Sequence, residues 1–279
     1  MTHLPNRCLF VLVLLPVLFV HSPALQGQDI QPLRAITYHL SMPRPASHLF
    51  NVSIEVEMKD LDVLDFQMPM WSPGRYAVFD FAKNIQEFQA QALNCSVRTE
   101  APSAVNCRTD ALPFTRLDNQ TWQVRTQGVQ KLIVSYKVFG NDLSGTFSQL
   151  DTRHANLNGG SIFMYIAGHK PDPVKVTIEP PAGWRIANGW TERAGQREWQ
   201  YPNWDVMIDA PTEIAPDFTE DQFEVDGKTY HVIVHSFGDE GGKRAALVRD
   251  IEKLVRTETG MWGPPEFDAY TFLIHFAAD

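Results

Sequence analysis

Apolar and polar residues alternate along most of the chain up to about residue 210, and this pattern constrains the fold more than any other feature. In residues 50–57 the apolar side chains are Phe50, Val52, Ile54 and Val56, and each is followed by a polar one. Residues 131–139 and 173–179 repeat the pattern. A period of two is typical of strands that pack on one face and meet water on the other.

Weaker strand candidates extend this pattern over the rest of the region. They lie at residues 34–42, 63–68, 85–93, 121–126 and 161–167, and glycine, proline and asparagine separate them. Short strands at this spacing predict a mainly β protein whose residues 29–211 form a β-sandwich domain.

The pattern changes after Pro211. Residues 222–225 and 228–237 are predicted to be two strands joined by a tight Asp-Gly turn. An amphipathic helix is predicted at 241–259, with Gly260 as its left-handed stop, and a strand at 270–276. We therefore expect residues 212–279 to be the incomplete start of a second, α+β domain, consisting of a β-hairpin, one helix and one strand.

The first 27 residues are predicted to be a secretory signal peptide. Arg7 precedes an apolar run at residues 8–20, and small residues follow around Ala24 and Gly27. The alternative is a membrane anchor, but the run is shorter than the roughly 17 residues that span a bilayer. We expect a secreted or periplasmic protein that is cleaved after Ala24 or Gly27 and has no membrane attachment afterwards.

Cleavage would leave two cysteines, Cys95 and Cys107, on either side of a polar stretch that is predicted to be a loop. In an oxidising compartment a disulfide across such a loop is easy to form, and it would add about 3 kcal/mol to stability in the chain-entropy model. Two unpaired thiols are the alternative. We favour the disulfide.

Charge and motif searches exclude several functions. The net charge is −9 and the sequence has no basic stripe, so we expect no nucleic-acid partner. None of the nine histidines is followed by glutamate, so the chain has no His-Glu-x-x-His zinc motif. His231 and His235 are four residues apart on a predicted strand, roughly 13 Å along the backbone, too far to share one zinc.

Other catalytic signatures are also missing. The sequence contains no Gly-x-Ser-x-Gly elbow and no Cys-x-x-Cys pair. Asp205 and Asp209 could form a carboxylate pair, but turn or capping roles are the better interpretation. The sequence therefore assigns no catalytic, cofactor-binding or metal-binding residue.

Several short motifs, taken in order, resemble the amino-terminal part of the M61 (glycyl aminopeptidase-like) peptidases. The most specific is the segment from Met68 to Tyr76, Met-Pro-Met-Trp-Ser-Pro-Gly-Arg-Tyr. Residues 203–211 resemble the family's domain-boundary segment, with Trp204 in place of its usual tyrosine. Residues 263–273 resemble the entry to its catalytic domain. The resemblance covers nearly all of residues 35–276.

This resemblance implies a portion of an exported zinc aminopeptidase with a β-sandwich followed by the start of a thermolysin-like domain. The family's zinc-binding segments match no position here, so the chain is expected to be inactive alone and to hold no zinc, the cofactor of the full-length family. Its expected partner is the missing C-terminal catalytic domain. Peptide substrates are expected only for the full-length form.

The segment that carries the resemblance also has a structural interpretation. Pro73-Gly74 is predicted to form a tight turn that holds Trp71 and Tyr76 against the sheet. A ligand-stacking role for Trp71 is the alternative.

The sequence also allows a different function. The chain could be an autonomous secreted β-sandwich module that binds peptide or carbohydrate. It would do so through the tryptophans at positions 184, 190, 199 and 204.

Overall fold

The computed structural model describes residues 32–71, 75, 77–98, 101–190, 195–238 and 240–276, with backbone only at 96–98 and 101–106. The predicted signal peptide lies outside the described residues, as do Pro73, Gly74 and Tyr76. The strands are β1 (Ala35–Ser41), β2 (Leu49–Glu57), β3 (Val63–Gln67), β4 (Ile85–Arg98), β5 (Ala101–Ala111), β6 (Phe114–Arg116), β7 (Thr121–Arg125), β8 (Lys131–Phe139), β9 (Gln149–Leu150), β10 (Ala155–Leu157), β11 (Tyr165–Ile166), β12 (Val174–Glu179), β13 (Arg185–Asn188), β14 (Glu198–Tyr201), β15 (Thr212–Ala215), β16 (Thr219–Val225), β17 (Lys228–Ser236) and β18 (Ala269–Phe276). The α-helices are α1 (Trp204–Ile208) and α2 (Arg244–Trp262).

A seven-stranded sheet in the order β14-β12-β1-β2-β8-β4-β5 forms one side of the core. Its central strand, β2, pairs antiparallel with β1 and β8 along its length. The apolar residues that alternate in β2 are all buried, as a strand with one wet face requires. They share one hydrophobic cluster with residues of two four-stranded sheets, β13-β15-β10-β9 and β11-β3-β7-β6. The prediction of a mainly β fold is confirmed.

Two buried tyrosines hold residues 162–164 in place through hydrogen bonds to their backbone. The Tyr38 hydroxyl donates a hydrogen bond to the Met164 carbonyl at 2.9 Å. The Tyr136 hydroxyl donates to the Ile162 carbonyl and accepts from the Met164 amide. The strand predicted at 161–167 is therefore mostly irregular, and it pairs with β3 only in β11, because these hydroxyls satisfy its backbone groups instead of a neighbouring strand.

The residues after β15 form a three-stranded sheet in the order β16-β17-β18. Asp226 and Gly227 both have positive φ, which gives the predicted tight hairpin turn between β16 and β17. The helix stop predicted at Gly260 is wrong: α2 runs on to Trp262. Gly263 then takes a φ of 88° while its amide bonds to the Thr259 carbonyl.

The three-stranded sheet joins the four-stranded sheet that contains β15. Ala187, Ala215, Phe218 and Ile233 form a small buried cluster, against which Leu273 packs. Pro32–Asp279 form one compact unit. Within the described ranges, no helix is both long enough and apolar enough to cross a membrane.

The polar loop predicted between the cysteines is wrong, because β4 and β5 continue as an antiparallel hairpin through this stretch. Cys95 and Cys107 are register partners, and their sulfurs form a disulfide. β5 is the last strand of the sheet. An edge arm of this kind needs no apolar face, so its sequence lacks the alternation that marks the other strands.

We predict that mature protein purified without reductant retains the Cys95–Cys107 bond, because the hairpin register places the two residues opposite each other. Alkylation followed by mass spectrometry should label neither cysteine before reduction and both after it. A Cys95→Ser variant, with one free thiol, is the control and should be labelled once without reduction. Two labelled thiols in the unreduced wild type would contradict the prediction.

The prediction that Trp71 is held against the sheet is wrong, since 53% of this residue is exposed. The aromatic residue that anchors this region is instead Phe81, which is fully buried and packs against the rings of Phe79 and Phe147. The sequence shows an aromatic residue beside a turn, but it does not show which of several nearby rings fills the core.

We predict that Trp71→Ala lowers the free energy of unfolding by less than about 1 kcal/mol, because an exposed side chain loses few contacts. The matched change Trp204→Ala removes a side chain that is 2% exposed and should cost about 3–5 kcal/mol. Urea unfolding followed by circular dichroism measures both. Equal losses for the two variants would show that Trp71 is packed after all.

Candidate functional site

Four side chains from distant parts of the sequence meet where the β15 sheet adjoins the three-stranded sheet. They are His154, which precedes β10, Glu213 in β15, His235 in β17 and His275 in β18. One nitrogen or oxygen atom from each lies within 4.8 Å of the others. The side chains of the first three are 0–3% exposed, and that of His275 is 17% exposed.

Strand pairing explains why these residues converge. β10 and β15 are antiparallel, with Asn156 opposite Glu213, so His154, which directly precedes β10, lies two residues along the chain from that pair. β17 and β18 are parallel neighbours in which His235 and His275 are register partners. Register partners project from the same face of a sheet. Each pair of strands therefore contributes two of the polar side chains.

The Glu213 carboxylate is the centre of the group. Its Oε1 accepts hydrogen bonds from Nδ1 of His154 at 2.9 Å and from Nδ1 of His235 at 2.6 Å. Its Oε2 accepts from Nε2 of His275 at 3.0 Å and from Nδ2 of Asn156 at 3.2 Å. Burial would raise the pKa of Glu213, but the bonds from three imidazoles outweigh it and hold this pKa well below its usual range. Glu213 is therefore a buried carboxylate anion.

The outer nitrogens of two imidazoles also have oxygen partners. Nε2 of His154 lies 2.9 Å from Oε1 of Gln149, and Nε2 of His235 lies 3.2 Å from Oδ1 of Asp217. The Phe237 ring covers the group, with its centroid 4.8 Å from that of His154 and 4.7 Å from that of His235. The rings are thus fixed in orientation on both sides.

A cavity of about 700 Å³ opens beside the group. Asn156 and His275 line it, together with Asp209 and residues 270–273 of β18. His275, the most exposed of the four residues, therefore lies between the buried carboxylate and solvent.

Among the residues singled out from the sequence, His235 belongs to this group and Asp209 lines the cavity beside it. His231 pairs with Glu220, its Nδ1 3.0 Å from Oε1, and so belongs to a different contact from His235. Asp205 lies in the first turn of α1, and Asp209 caps its C-terminal end. Both therefore act at the ends of one short helix. Trp71 and the disulfide are remote in sequence from the four converging segments.

The four tryptophans that the alternative function would use to stack on a ligand do not form a common surface. Trp199 and Trp204 are 3% and 2% exposed, whereas Trp190 is 41% exposed. Trp184 is partly buried against the main core. Side chains with such different exposure do not present a common face to a sugar or peptide.

Sequence reasoning did not find the histidine–glutamate group, because its members share no short spacing. A signal was present in the strands themselves. His235 and His275 each stand among apolar residues of a strand, where an unpaired imidazole would be costly to bury. Two such histidines indicate a buried acidic partner, but they do not identify it as Glu213.

We predict that Glu213→Gln lowers the free energy of unfolding by about 3–5 kcal/mol in chelator-treated protein, because it removes one partner of a buried charged group. Glu220→Gln is the matched control. It alters a histidine contact whose carboxylate side chain is 40% exposed and should cost less than about 1 kcal/mol. Urea unfolding measures both, and a loss below 1 kcal/mol for Glu213→Gln would contradict the central role of this carboxylate.

The chain is similar to a number of solved structures. One, described as an aminopeptidase N family protein from Idiomarina loihiensis, has 25% sequence identity and a TM-score of 0.74. The match covers 86% of this chain and 39% of that one, so the chain spans well under half of its length. An M1 zinc metallopeptidase from Deinococcus radiodurans is 13% identical with a TM-score of 0.46, covering 87% of this chain and 56% of that one.

The family comparison is more specific. No curated protein sequence matches the chain. The family model of the peptidase M61 N-terminal domain matches residues 37–216, which is more than half of the chain. This range begins within β1 and ends just after β15, so it includes His154 and Glu213 but not His235 or His275. The chain therefore belongs to the M61 peptidase family and contains its N-terminal domain.

Proposed function

We propose that this chain is the non-catalytic N-terminal portion of an exported M61 zinc aminopeptidase, in which it supports a metallopeptidase domain that hydrolyses peptides. The observation that carries the proposal is an apolar surface on α2 and the segment after it. The large exposed side chains there are Leu254, Met261, Trp262, Phe267 and Tyr270.

This surface has the character of an interface with further protein. Trp262 is 85% exposed and Met261 is 69% exposed, although both types of side chain are normally covered in a soluble fold. Among the described strands, β18 has β17 as its one neighbour and so leaves an open sheet edge. An open edge beside large apolar side chains is a surface that another domain would cover.

The residues of this chain do not fit the family's catalytic zinc. That zinc requires a His-Glu-x-x-His helix, and the sequence has none. The histidines that do converge lie on or next to strands, and the glutamate among them is a hydrogen-bond acceptor at their centre. We therefore assign no hydrolytic step to residues of this chain.

Export is part of the same proposal. The charged, apolar and small-residue order of the first 27 residues supports it. The disulfide between Cys95 and Cys107 is a second support, since such bonds persist in oxidising compartments.

We predict that the full chain binds an apolar fluorescent dye and self-associates, because the surface on α2 lacks its cover. Trp262→Ser should reduce both effects. Trp190→Ser removes another exposed tryptophan from a different region and serves as the control that leaves them unchanged. Dye fluorescence and sedimentation velocity are the measurements.

Two outcomes would contradict the proposal. One is a monomeric chain without dye binding, which would mean that the surface on α2 is not an interface. The other is saturable quenching of tryptophan fluorescence by peptides or oligosaccharides, which would favour an autonomous binding module.

A further inference from the structure

The group around Glu213 has the donor set of a transition-metal site. Three imidazole nitrogens and one carboxylate oxygen are ligands that Zn²⁺ takes in four-coordinate sites. Nitrogen donors select against Mg²⁺ and Ca²⁺, which prefer oxygen ligands. The four residues lie on four separate chain segments, so a bound ion would connect all of them.

The distances between the donor atoms are close to those of a tetrahedral metal site, so binding an ion would need only small movements of the side chains. In a tetrahedral zinc site with bonds of about 2.0–2.1 Å, neighbouring donors are about 3.3 Å apart. Here Nδ1 of His154 and Nδ1 of His235 are 2.9 and 2.6 Å from Oε1 of Glu213, and all four donors fit within 4.8 Å. On binding an ion, the distances from Oε1 of Glu213 to the two Nδ1 atoms would lengthen by well under 1 Å. Donor atoms that are now more than about 3.3 Å apart would move closer together.

The outer contacts of the imidazoles also match those of metal ligands. A metal-bound histidine usually donates its other N–H to an oxygen, and that contact fixes its tautomer. Nε2 of His154 faces Gln149, and Nε2 of His235 faces Asp217, which leaves Nδ1 of each ring pointing inward. A neutral His235 has one N–H, so it cannot donate to the carboxylates of Glu213 and Asp217 at the same time, whereas Gln149 can turn its amide towards His154. With an ion at the centre, the inward nitrogens act as lone-pair donors and this conflict disappears.

The second carboxylate oxygen has its own support. Oε2 of Glu213 accepts from Nδ2 of Asn156 at 3.2 Å, which would hold the carboxylate while Oε1 faces the ion. The cavity beside Asn156 and His275 provides a route of entry from solvent. A bindable site needs both a supported ligand and an entry path.

We infer that His154, Glu213, His235 and His275 form a structural binding site for a divalent transition-metal ion of the zinc type, which cross-links the M61 N-terminal domain to the three-stranded sheet. Four protein ligands leave no open position, and this is the arrangement of a structural ion rather than a catalytic one. The site is separate from the family's His-Glu-x-x-His zinc. It departs from the sequence-based expectation that the chain holds no zinc.

The test is metal uptake by the full chain after removal of metals with a chelator and dialysis. With ZnCl₂ as the probe, equilibrium dialysis and elemental analysis should find one zinc per chain. The melting temperature should rise by at least about 5 °C with saturating zinc. MgCl₂ at the same concentration should give neither effect. Uptake below about one tenth of a zinc per chain by the folded wild type would overturn the inference.

Variants locate the bound ion. His275→Gln changes the most exposed ligand and should weaken zinc binding at least tenfold while circular dichroism remains that of the wild type. His231→Gln changes a histidine of β17 that pairs with Glu220 outside the group, and it should retain one tightly bound zinc. Undiminished binding by a folded His275→Gln, or equal losses in both variants, would place the ion elsewhere. No readout depends on peptidase activity, so failure here leaves the proposed function intact.

Discussion

The pairing of β2 on both sides is the constraint around which the main domain is organised. This strand lies in the middle of a seven-stranded sheet, with seven residues in register with β1 and nine with β8. Its alternation gives the sheet one apolar face, which must be covered because strands cannot leave such a face in water. The two four-stranded sheets supply that cover, and the buried hydroxyls of Tyr38 and Tyr136 tie down the segment that crosses between them.

Sequence reasoning succeeded where one period dominates a segment. β2, β8 and β12 follow the alternation closely, and Asp226-Gly227 marks the hairpin between β16 and β17. It failed in the arm that carries Cys95 and Cys107, where the side chains of residues 94–95 and 107–109 are exposed and the sequence does not alternate. It also failed at Trp71. Which of several nearby aromatic rings is buried depends on how their shapes fit the core, and this fit cannot be read from the local sequence.

The group around Glu213 could not be predicted for a different reason. Its four members are brought together by the register of two strand pairs, and each pairing depends on long-range contacts. Burying a carboxylate with three imidazoles costs desolvation free energy. The group contributes to stability only when every hydrogen-bond partner is present. The family match ends just after Glu213, so His235 and His275 lie beyond the range that it covers. The two regions share this polar group as well as a small apolar cluster.

The parallel pairing of β17 and β18 has a consequence for how this sheet assembles. The helix α2 and its flanking residues separate the two strands, so no tight turn sets their alignment. A slip of one residue would turn His275 to the opposite face and bring Ile274 or Phe276 towards Glu213. The carboxylate would then lose a partner inside a water-poor junction. The histidine–glutamate group thus selects the register of β18 against β17. The alignment that keeps His275 on Glu213 is stabilised, and alignments shifted by one residue are not.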